Sequence, residues 1–130
     1  GKSLIKVLTG QRRVGKSYLL MQIRDIIQNQ EPETQIIYIN KEQHEFSMVT
    51  DSDSLFEYLN KNVKGNGKVA LFIDEIQDIE SFEITLRDLA TRKNFDVYCT
   101  GSNANLLSGE LATYLGGRYI EIKVYGLKKI

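Results

Sequence analysis

Gly10-Gln11-Arg12-Arg13-Val14-Gly15-Lys16-Ser17 is the stretch of sequence that decides the fold. It matches the pattern GxxxxGK[ST] without interruption. The apolar run at 4–9 precedes it and predicts a strand, and the run at 18–28 follows it and predicts a helix. Strand, loop and helix in this order are the context that a phosphate-binding loop requires. The alternative is an ordinary glycine-containing turn between a strand and a helix.

The residue types in this stretch suit a nucleotide's phosphates. Glycines let the backbone turn so that its N–H groups converge, and the positive end of the following helix adds to that attraction. Lys16 is expected to reach the β- and γ-phosphates, and the Ser17 hydroxyl to bind Mg²⁺. Arg12 and Arg13 either contact phosphate or pair outward with acids. The predicted nucleotide-binding residues are Gly10, Gln11, Arg12, Arg13, Val14, Gly15, Lys16, Ser17 and Tyr18.

A second motif is the apolar run Val69–Ile73 followed by Asp74 and Glu75. Such a run predicts a buried central strand with both acids at its carboxyl end, where open α/β sheets bind ligands. Asp74 is expected to hold the hydration shell of Mg²⁺, and Glu75 to orient or deprotonate the attacking water. Taken without the glycine-rich loop, the two acids would equally fit a solvated strand end.

Strands and helices are predicted to alternate along the whole chain. Predicted strands lie at about 4–9, 35–40, 68–74, 95–100 and 118–125, and predicted helices at about 16–29, from 51 or 52 onward, 81–92 and 104–115. The segment 41–50 is polar and is expected to be irregular. This alternation predicts a single α/β domain over residues 1–130, with a parallel five-stranded sheet and helices on both faces.

Composition limits the functional classes only weakly. Lys and Arg total 17 and Asp and Glu total 17, so the charge balance neither requires nor excludes nucleic acid or an anionic membrane. The single cysteine, Cys99, lies in an apolar run and is expected to be a buried thiol. No signal peptide or apolar run of membrane-spanning length is visible, so we expect a cytoplasmic protein without a membrane partner. The chain begins with Gly1 close to its first strand, and we expect a domain excised from a longer protein.

Three blocks of sequence resemble one known family. They are KVLTGQRRVGKSYLLMQI, ALFIDEIQDI and YCTGSNANLLSGELATYLGGRYIEIKVYGL. They are similar to the AAA-type ATPase domain of many uncharacterised bacterial and archaeal proteins, and the resemblance covers nearly the whole chain. It implies a three-layer P-loop NTPase fold of the additional-strand class, with sheet order 5-1-4-3-2. It also implies ATP as the nucleotide, which the lack of a guanine-reading NKxD-like segment supports.

The resemblance implies further features beyond the two motifs. Family members usually carry a winged-helix or helical region and a restriction-endonuclease-like domain after this one, through which nucleic acid could be a partner. A polar sensor is expected where the fourth strand ends, at Ser102 or Asn103, with Thr100 as third choice; Ser102 or Asn103 could instead cap the next helix. Arg118 is expected to reach the nucleotide of a neighbouring subunit in a homo-oligomer, or else to pair with a surface acid.

The sequence therefore predicts an ATP-binding, Mg²⁺-dependent ATPase domain that drives or gates an appended domain. The predicted catalytic residues are Glu75, Lys16, Ser102, Asn103 and Arg118, and the predicted metal-binding residues are Ser17 and Asp74. One alternative is a nucleotide-dependent switch with negligible turnover. A small-molecule kinase is the other alternative, and Glu75 argues against it because a water-directed acid is a feature of hydrolases.

Overall fold

The computed structural model describes residues 4–102, 106 and 109–126. These residues contain five strands: β1 (Ile5–Thr9), β2 (Gln35–Asn40), β3 (Val69–Asp74), β4 (Phe95–Gly101) and β5 (Tyr119–Lys123). The α-helices are α1 (Lys16–Gln30), α2 (Ser52–Asn62), α3 (Phe82–Ala90) and α4 (Gly109–Leu115), and short 3-10 helices span His44–Phe46 and Ile76–Asp78. None of the helices in these described ranges has the length and apolar character needed to cross a bilayer.

The strands form one parallel sheet in the order β2-β3-β4-β1-β5. This is the predicted order 5-1-4-3-2 read from the other edge, so the predicted fold class is confirmed. β1 lies between β4 and β5, with Val7 opposite both Cys99 and Glu121. Because all strands run the same way, the segments that follow β1, β3 and β4 meet at one edge of the sheet. That edge is where parallel sheets bind ligands.

Alternate residues of β3 face two different helical layers, as a doubly covered central strand requires. Val69, Leu71 and Ile73 belong to the larger core, which also contains leucines of α2, α3 and α4. Ala70 and Phe72 face the other way and pack with Leu20 and Ile27 of α1. The larger core also contains Cys99, where burial raises the pKa of the thiol to about 12.

The α1 face of the sheet carries a row of stacked aromatic rings. Phe72 stacks on Tyr38 of β2 with ring centroids 5.8 Å apart, and on Tyr98 of β4 with centroids 5.1 Å apart. The three residues share a register position on neighbouring strands. Phe72 is fully buried at the centre of this row, so its side chain packs against both neighbouring strands.

The predicted boundaries are wrong at several elements. α4 begins at Gly109 instead of about 104, and Leu106 lies in a turn; Asn103, Ala104, Asn105, Leu107 and Ser108 lie outside the described residues. α3 ends at Ala90 and β5 ends at Lys123, both earlier than predicted. Side-chain periodicity gives the face of an element more reliably than its ends, because turns and caps decide where hydrogen bonding stops.

The segment 41–50 is more ordered than its polar composition predicts. It contains a 3-10 helix, and Phe46 and Val49 are buried in the larger core. The Lys41 ammonium donates to the carbonyl oxygen of Phe46 at 3.2 Å and to that of Val49 at 2.5 Å. α2 then starts at Ser52 with Asp51 as its N-cap, in a capping box with Ser54, which agrees with the predicted start at 51 or 52.

We expect Phe72→Ala to lower the free energy of unfolding by about 3–5 kcal/mol, because it leaves a cavity between three strands and α1. Urea denaturation followed by circular dichroism measures this change. Tyr125→Ala is the control, since Tyr125 is 74% exposed and such a site should change stability by less than about 0.5 kcal/mol. Equal stabilities for the two variants would contradict this account of the core.

Candidate active site

The loop between β1 and α1 presents the uncapped start of a helix. Gly15 precedes α1 with φ 99° and ψ 15°, a left-handed conformation that favours glycine. Gly15 has no side chain with which to cap this helix, and the first turn of the helix contains no acidic residue. The first N–H groups of a helix lack partners within the helix and carry its partial positive charge. The start of α1 is therefore suited to an anion.

Gly10 lets the same loop pass close to the backbone that follows β5. Its φ is 150°, and a Cβ at this position would lie only 2.4 Å from the carbonyl oxygen of Val124. The Val14 side chain lies on the other side, with Cγ2 at 3.2 Å from that Cβ position. The backbone after β5 thus forms one wall of the loop, and a larger residue at position 10 would push the two apart.

Lys16, the first residue of α1, is 4% exposed and folds back under the loop. Its ammonium donates to the carbonyl oxygens of Gly10 and Gln11, both at 2.7 Å. Burial lowers the pKa of Lys16, while the nearby charges of Glu75 and Asp74 oppose that shift. The arrangement places one buried cation between the glycine-rich loop and two buried acids.

Asp74 ends β3 beside the first turn of α1. The Ser17 hydroxyl donates to Asp74 Oδ2 at 2.7 Å, and the Thr100 hydroxyl donates to Asp74 Oδ1 at 2.5 Å. A hydroxyl and a carboxylate in contact are oxygen ligands of the kind that Mg²⁺ prefers. Ser17 and Asp74 are therefore a chemically suitable pair for Mg²⁺, and the fold brings together two residues that are 57 positions apart.

Glu75 is 6% exposed and has an unusual backbone conformation, with φ 64° and ψ 59°. A residue with a side chain in this left-handed region costs about 1–3 kcal/mol, and such residues concentrate at functional sites. The Ser102 hydroxyl donates to Glu75 Oε1 at 2.8 Å and is 3.2 Å from Oε2. The Gln77 amide also donates to Oε2. The carboxylate is thus held by two neighbours in a fixed direction.

Gln77 is a site residue that sequence reasoning missed. Its amide nitrogen faces the Glu75 carboxylate, while its buried Oε1 has no hydrogen-bond partner within the described ranges. The opposite orientation of the amide would set two acceptors against each other, so the carboxylate determines which end faces it. In the sequence, only its position two residues after Glu75 indicated that Gln77 could belong to the site.

A cleft of about 510 Å³ opens at this edge of the sheet. Its lining residues come from the loop, α1, the segment after β2 and the end of β3; they are Arg12, Arg13, Gly15, Lys16, Ser17, Tyr18, Glu42 and Glu75. Glu42 was not predicted, and its carboxylate lies 3.9 Å from the Arg12 guanidinium. Both side chains are exposed, so this pair adds little stability and leaves Arg12 available to a ligand.

The other predicted site residues are distributed unevenly. Ser102 lies beside Glu75, whereas Thr100 is fully buried and contacts Asp74. Asn103 lies outside the described residues. Arg118 precedes β5, and its carbonyl oxygen accepts from the Ile5 N–H at 3.1 Å, at the opposite end of β1 from the loop. Within the described part of the chain no acid pairs with the Arg118 side chain.

A parallel sheet of this order, a glycine-rich loop opening α1 and paired acids ending β3 together define a P-loop nucleotide-binding domain of the additional-strand class. The family comparison makes this assignment specific: the AAA domain family matches residues 2–129, and the chain belongs to that family. This confirms the resemblance seen in the three sequence blocks.

Two curated relatives match almost the whole chain. An uncharacterized protein of Haemophilus influenzae is 46% identical over 125 residues, which are 95% of this chain and 31% of that protein. An uncharacterized protein of Methanocaldococcus jannaschii is 36% identical over 123 residues, 95% of this chain and 26% of that protein. The chain thus spans less than a third of the length of either relative.

Solved structures share the fold at low sequence identity. Domain III of the Thermotoga maritima replication initiation protein DnaA has a TM-score of 0.59 at 19% identity, covering 93% of this chain and 55% of that one. Caenorhabditis elegans PCH-2 has a TM-score of 0.57 at 19% identity, covering 95% of this chain and 35% of that one. At these identities the likeness is one of architecture alone.

We expect Lys16→Ala to weaken ATP or ADP binding roughly ten- to hundredfold, because one charge-assisted contact to phosphate contributes about 1.5–3 kcal/mol. Calorimetric titration of both proteins with nucleotide measures the difference. Lys68→Ala serves as control, since Lys68 pairs with Glu31 at the surface and does not line the cleft. Equal affinities for wild type and Lys16→Ala would show that the loop does not bind phosphate through this lysine.

Proposed function

We propose that this chain binds ATP with Mg²⁺ and hydrolyses the bond between the β- and γ-phosphates. The observation that carries the proposal is the meeting of Lys16, Ser17, Asp74 and Glu75 at the carboxyl edge of the sheet, where Ser17 bonds to Asp74 and the charges of Asp74 and Glu75 act on the Lys16 ammonium. The AAA domain family supports nucleotide binding by this loop. Residues 1–130 would act as one ATP-binding domain of a longer protein.

In the binding step, the loop N–H groups and the start of α1 receive the phosphates. Lys16 exchanges the carbonyl oxygens of Gly10 and Gln11 for phosphate oxygens, and Arg12 and Arg13 contribute further positive charge from the rim of the cleft. Tyr18 lines the cleft next to Ser17 and is 67% exposed. Ser17 and Asp74 are the residues that would hold Mg²⁺, which neutralises charge on the phosphate oxygens.

In the chemical step, Glu75 accepts a proton from the water that attacks the γ-phosphorus. The bond from that phosphorus to the bridging oxygen breaks, and ADP and inorganic phosphate result. Glu75 acts from a left-handed turn that lines the cleft. Ser102 touches the carboxylate, and we assign it the role of orienting this base and of sensing the γ-phosphate. Asn103 remains the predicted alternative sensor.

A second candidate function, a nucleotide-dependent switch with negligible turnover, has its own supporting observation. The Glu75 carboxylate accepts hydrogen bonds from both Ser102 and Gln77. A base held in this way has fewer lone pairs free for water. Steady-state phosphate release separates the two functions, and adding a small-molecule acceptor to the same assay tests the less favoured kinase activity.

Arg118 is proposed to act on the nucleotide of a second copy of the protein. β1 separates it from the loop of its own chain by four residue steps, about 13 Å at the rise of a strand. Its side chain is exposed and no acid of the described ranges pairs with it, so the alternative of a surface ion pair lacks a partner there. Efficient turnover would then require a homo-oligomer.

We extend the proposal to the whole protein, which would include segments outside residues 1–130. Because the chain spans only 31% and 26% of two relatives, the ATPase cycle is proposed to drive or gate an appended domain. A restriction-endonuclease-like domain remains a prediction from the family resemblance, and with it a nucleic-acid partner. The full-length sequence tests both.

We expect Glu75→Gln to retain ATP binding and to lose hydrolysis by about 10²–10⁴-fold, the usual contribution of a positioned base. Phosphate release from the full-length protein at saturating ATP measures the rate. Glu57→Gln makes the same change on the exposed surface of α2 and should leave the rate unchanged. Hydrolysis at the wild-type rate by Glu75→Gln would remove Glu75 from the mechanism.

We expect Arg118→Ala to reduce full-length ATPase activity by about 10³–10⁵-fold, as removal of an arginine finger does, with little change in nucleotide affinity. Adding an excess of the Lys16→Ala protein should partly restore activity, because mixed interfaces pair an intact arginine with an intact nucleotide site. Arg92→Ala is the control, since Arg92 pairs with Asp88 on α3. Normal activity of Arg118→Ala, with a rate per site independent of concentration, would contradict a role in trans.

A further inference from the structure

The hydroxyl of Thr100 lies between the two acids of the site. Thr100 is fully buried near the end of β4. Its Oγ1 accepts from the backbone N–H of Glu75 at 2.9 Å and donates to Asp74 Oδ1 at 2.5 Å. A backbone N–H can only donate and a hydroxyl has one proton. The Thr100 hydroxyl therefore donates its one proton to the Asp74 carboxylate.

This bond determines how Asp74 faces the cleft. With Oδ1 engaged by Thr100, the remaining oxygen, Oδ2, is the one that accepts from Ser17 at 2.7 Å. Hydrogen bonds to an ionised carboxylate are stronger and more directional than those between neutral groups. Loss of the Thr100 hydroxyl would leave Oδ1 buried without this partner and would free the carboxylate to rotate away from Ser17.

The same hydroxyl also determines how Glu75 leaves the strand. Glu75 has φ 64° and ψ 59°, so β3 ends at a sharp left-handed turn. Without the Thr100 oxygen, the buried N–H of Glu75 would lose this hydrogen-bond partner. One side chain of β4 thus fixes the carboxylate of one acid and the backbone of the next.

We propose that Thr100 is a positioning residue that aligns Asp74 for Mg²⁺ and Glu75 for the attacking water. This inference rests on the proposed function. It also reassigns Thr100, the third choice as a phosphate sensor, because a fully buried hydroxyl with both of its bonds made inside the chain does not reach the nucleotide.

Thr100→Val removes the hydroxyl and nearly keeps the volume, and Thr100→Ser keeps the hydroxyl. The test uses the full-length protein and two readouts. One is the affinity for a fluorescent, non-hydrolysable ATP analogue with Mg²⁺ and in EDTA, and the other is kcat for ATP. Thr100→Val is expected to bind the analogue in EDTA with the wild-type affinity. With Mg²⁺ its affinity should be about 10–100-fold below that of the wild type, and its kcat should fall by a similar factor, as loss of a group that orients a metal ligand does. Thr100→Ser should restore both.

Thr85→Val is the matched control for a purely structural role. Thr85 is also fully buried, and its hydroxyl bonds to that of Ser52 at 2.7 Å, away from the cleft. It should lower the thermal midpoint without changing the effect of Mg²⁺ or kcat. A Thr100→Val protein that behaves like Thr85→Val in all three measurements would overturn the proposal. If Thr100→Val does not fold, Thr100→Cys replaces it, because a thiol is a weak donor of similar size, and the same outcomes apply.

The two proposals fail in different ways. A wild-type protein that binds no nucleotide, or that binds it without regard to Mg²⁺, overturns the proposed function and this inference together. Wild-type binding that responds to Mg²⁺, with Thr100→Val unchanged in its response and in kcat, overturns only the positioning role.

Discussion

The structure depends on burying one carboxylate, that of Asp74, at the edge of the sheet. An ionised carboxyl group without partners is costly to remove from water, and Asp74 is only 3% exposed. Its partners come from two other elements, Ser17 at the start of α1 and Thr100 near the end of β4. The carboxylate therefore connects the start of α1 to the sheet, and this connection brings Lys16, which precedes Ser17, near Glu75, which follows Asp74.

The parallel sheet makes this meeting possible. β3, β4 and β1 are adjacent and run the same way, so the residues that follow them converge although they are far apart in the sequence. The larger core contains residues of β1, β3 and β4, and the stacked rings of Tyr38, Phe72 and Tyr98 join β2, β3 and β4 on the α1 face. Stability is thus concentrated beneath the cleft, while the cleft itself contains strained backbone at Glu75 and a buried cation at Lys16.

Lys16 and Glu75 already have hydrogen-bond partners within the chain. Lys16 bonds to the loop carbonyls, and Glu75 bonds to Ser102 and Gln77. Nucleotide binding as proposed would therefore exchange internal hydrogen bonds for bonds to phosphate and water, so each gain would be reduced by the bond that is lost. Under the proposed function, this exchange would decide between steady hydrolysis and a slow switch, depending on how readily Glu75 is released.

The sequence by itself determined the motifs whose chemistry is local. The loop Gly10–Ser17, the acids that end β3 and the alternation of strands and helices were all predicted, because backbone turns and side-chain periodicity are properties of short segments. Alternation alone left the strand order open, and the family resemblance supplied it. Only the tertiary structure placed Thr100 against Asp74, Gln77 against Glu75, Glu42 at the cleft, and Arg118 at the far end of β1. These pairings depend on which strands lie side by side and on where turns end, and both are decided by packing of the whole core.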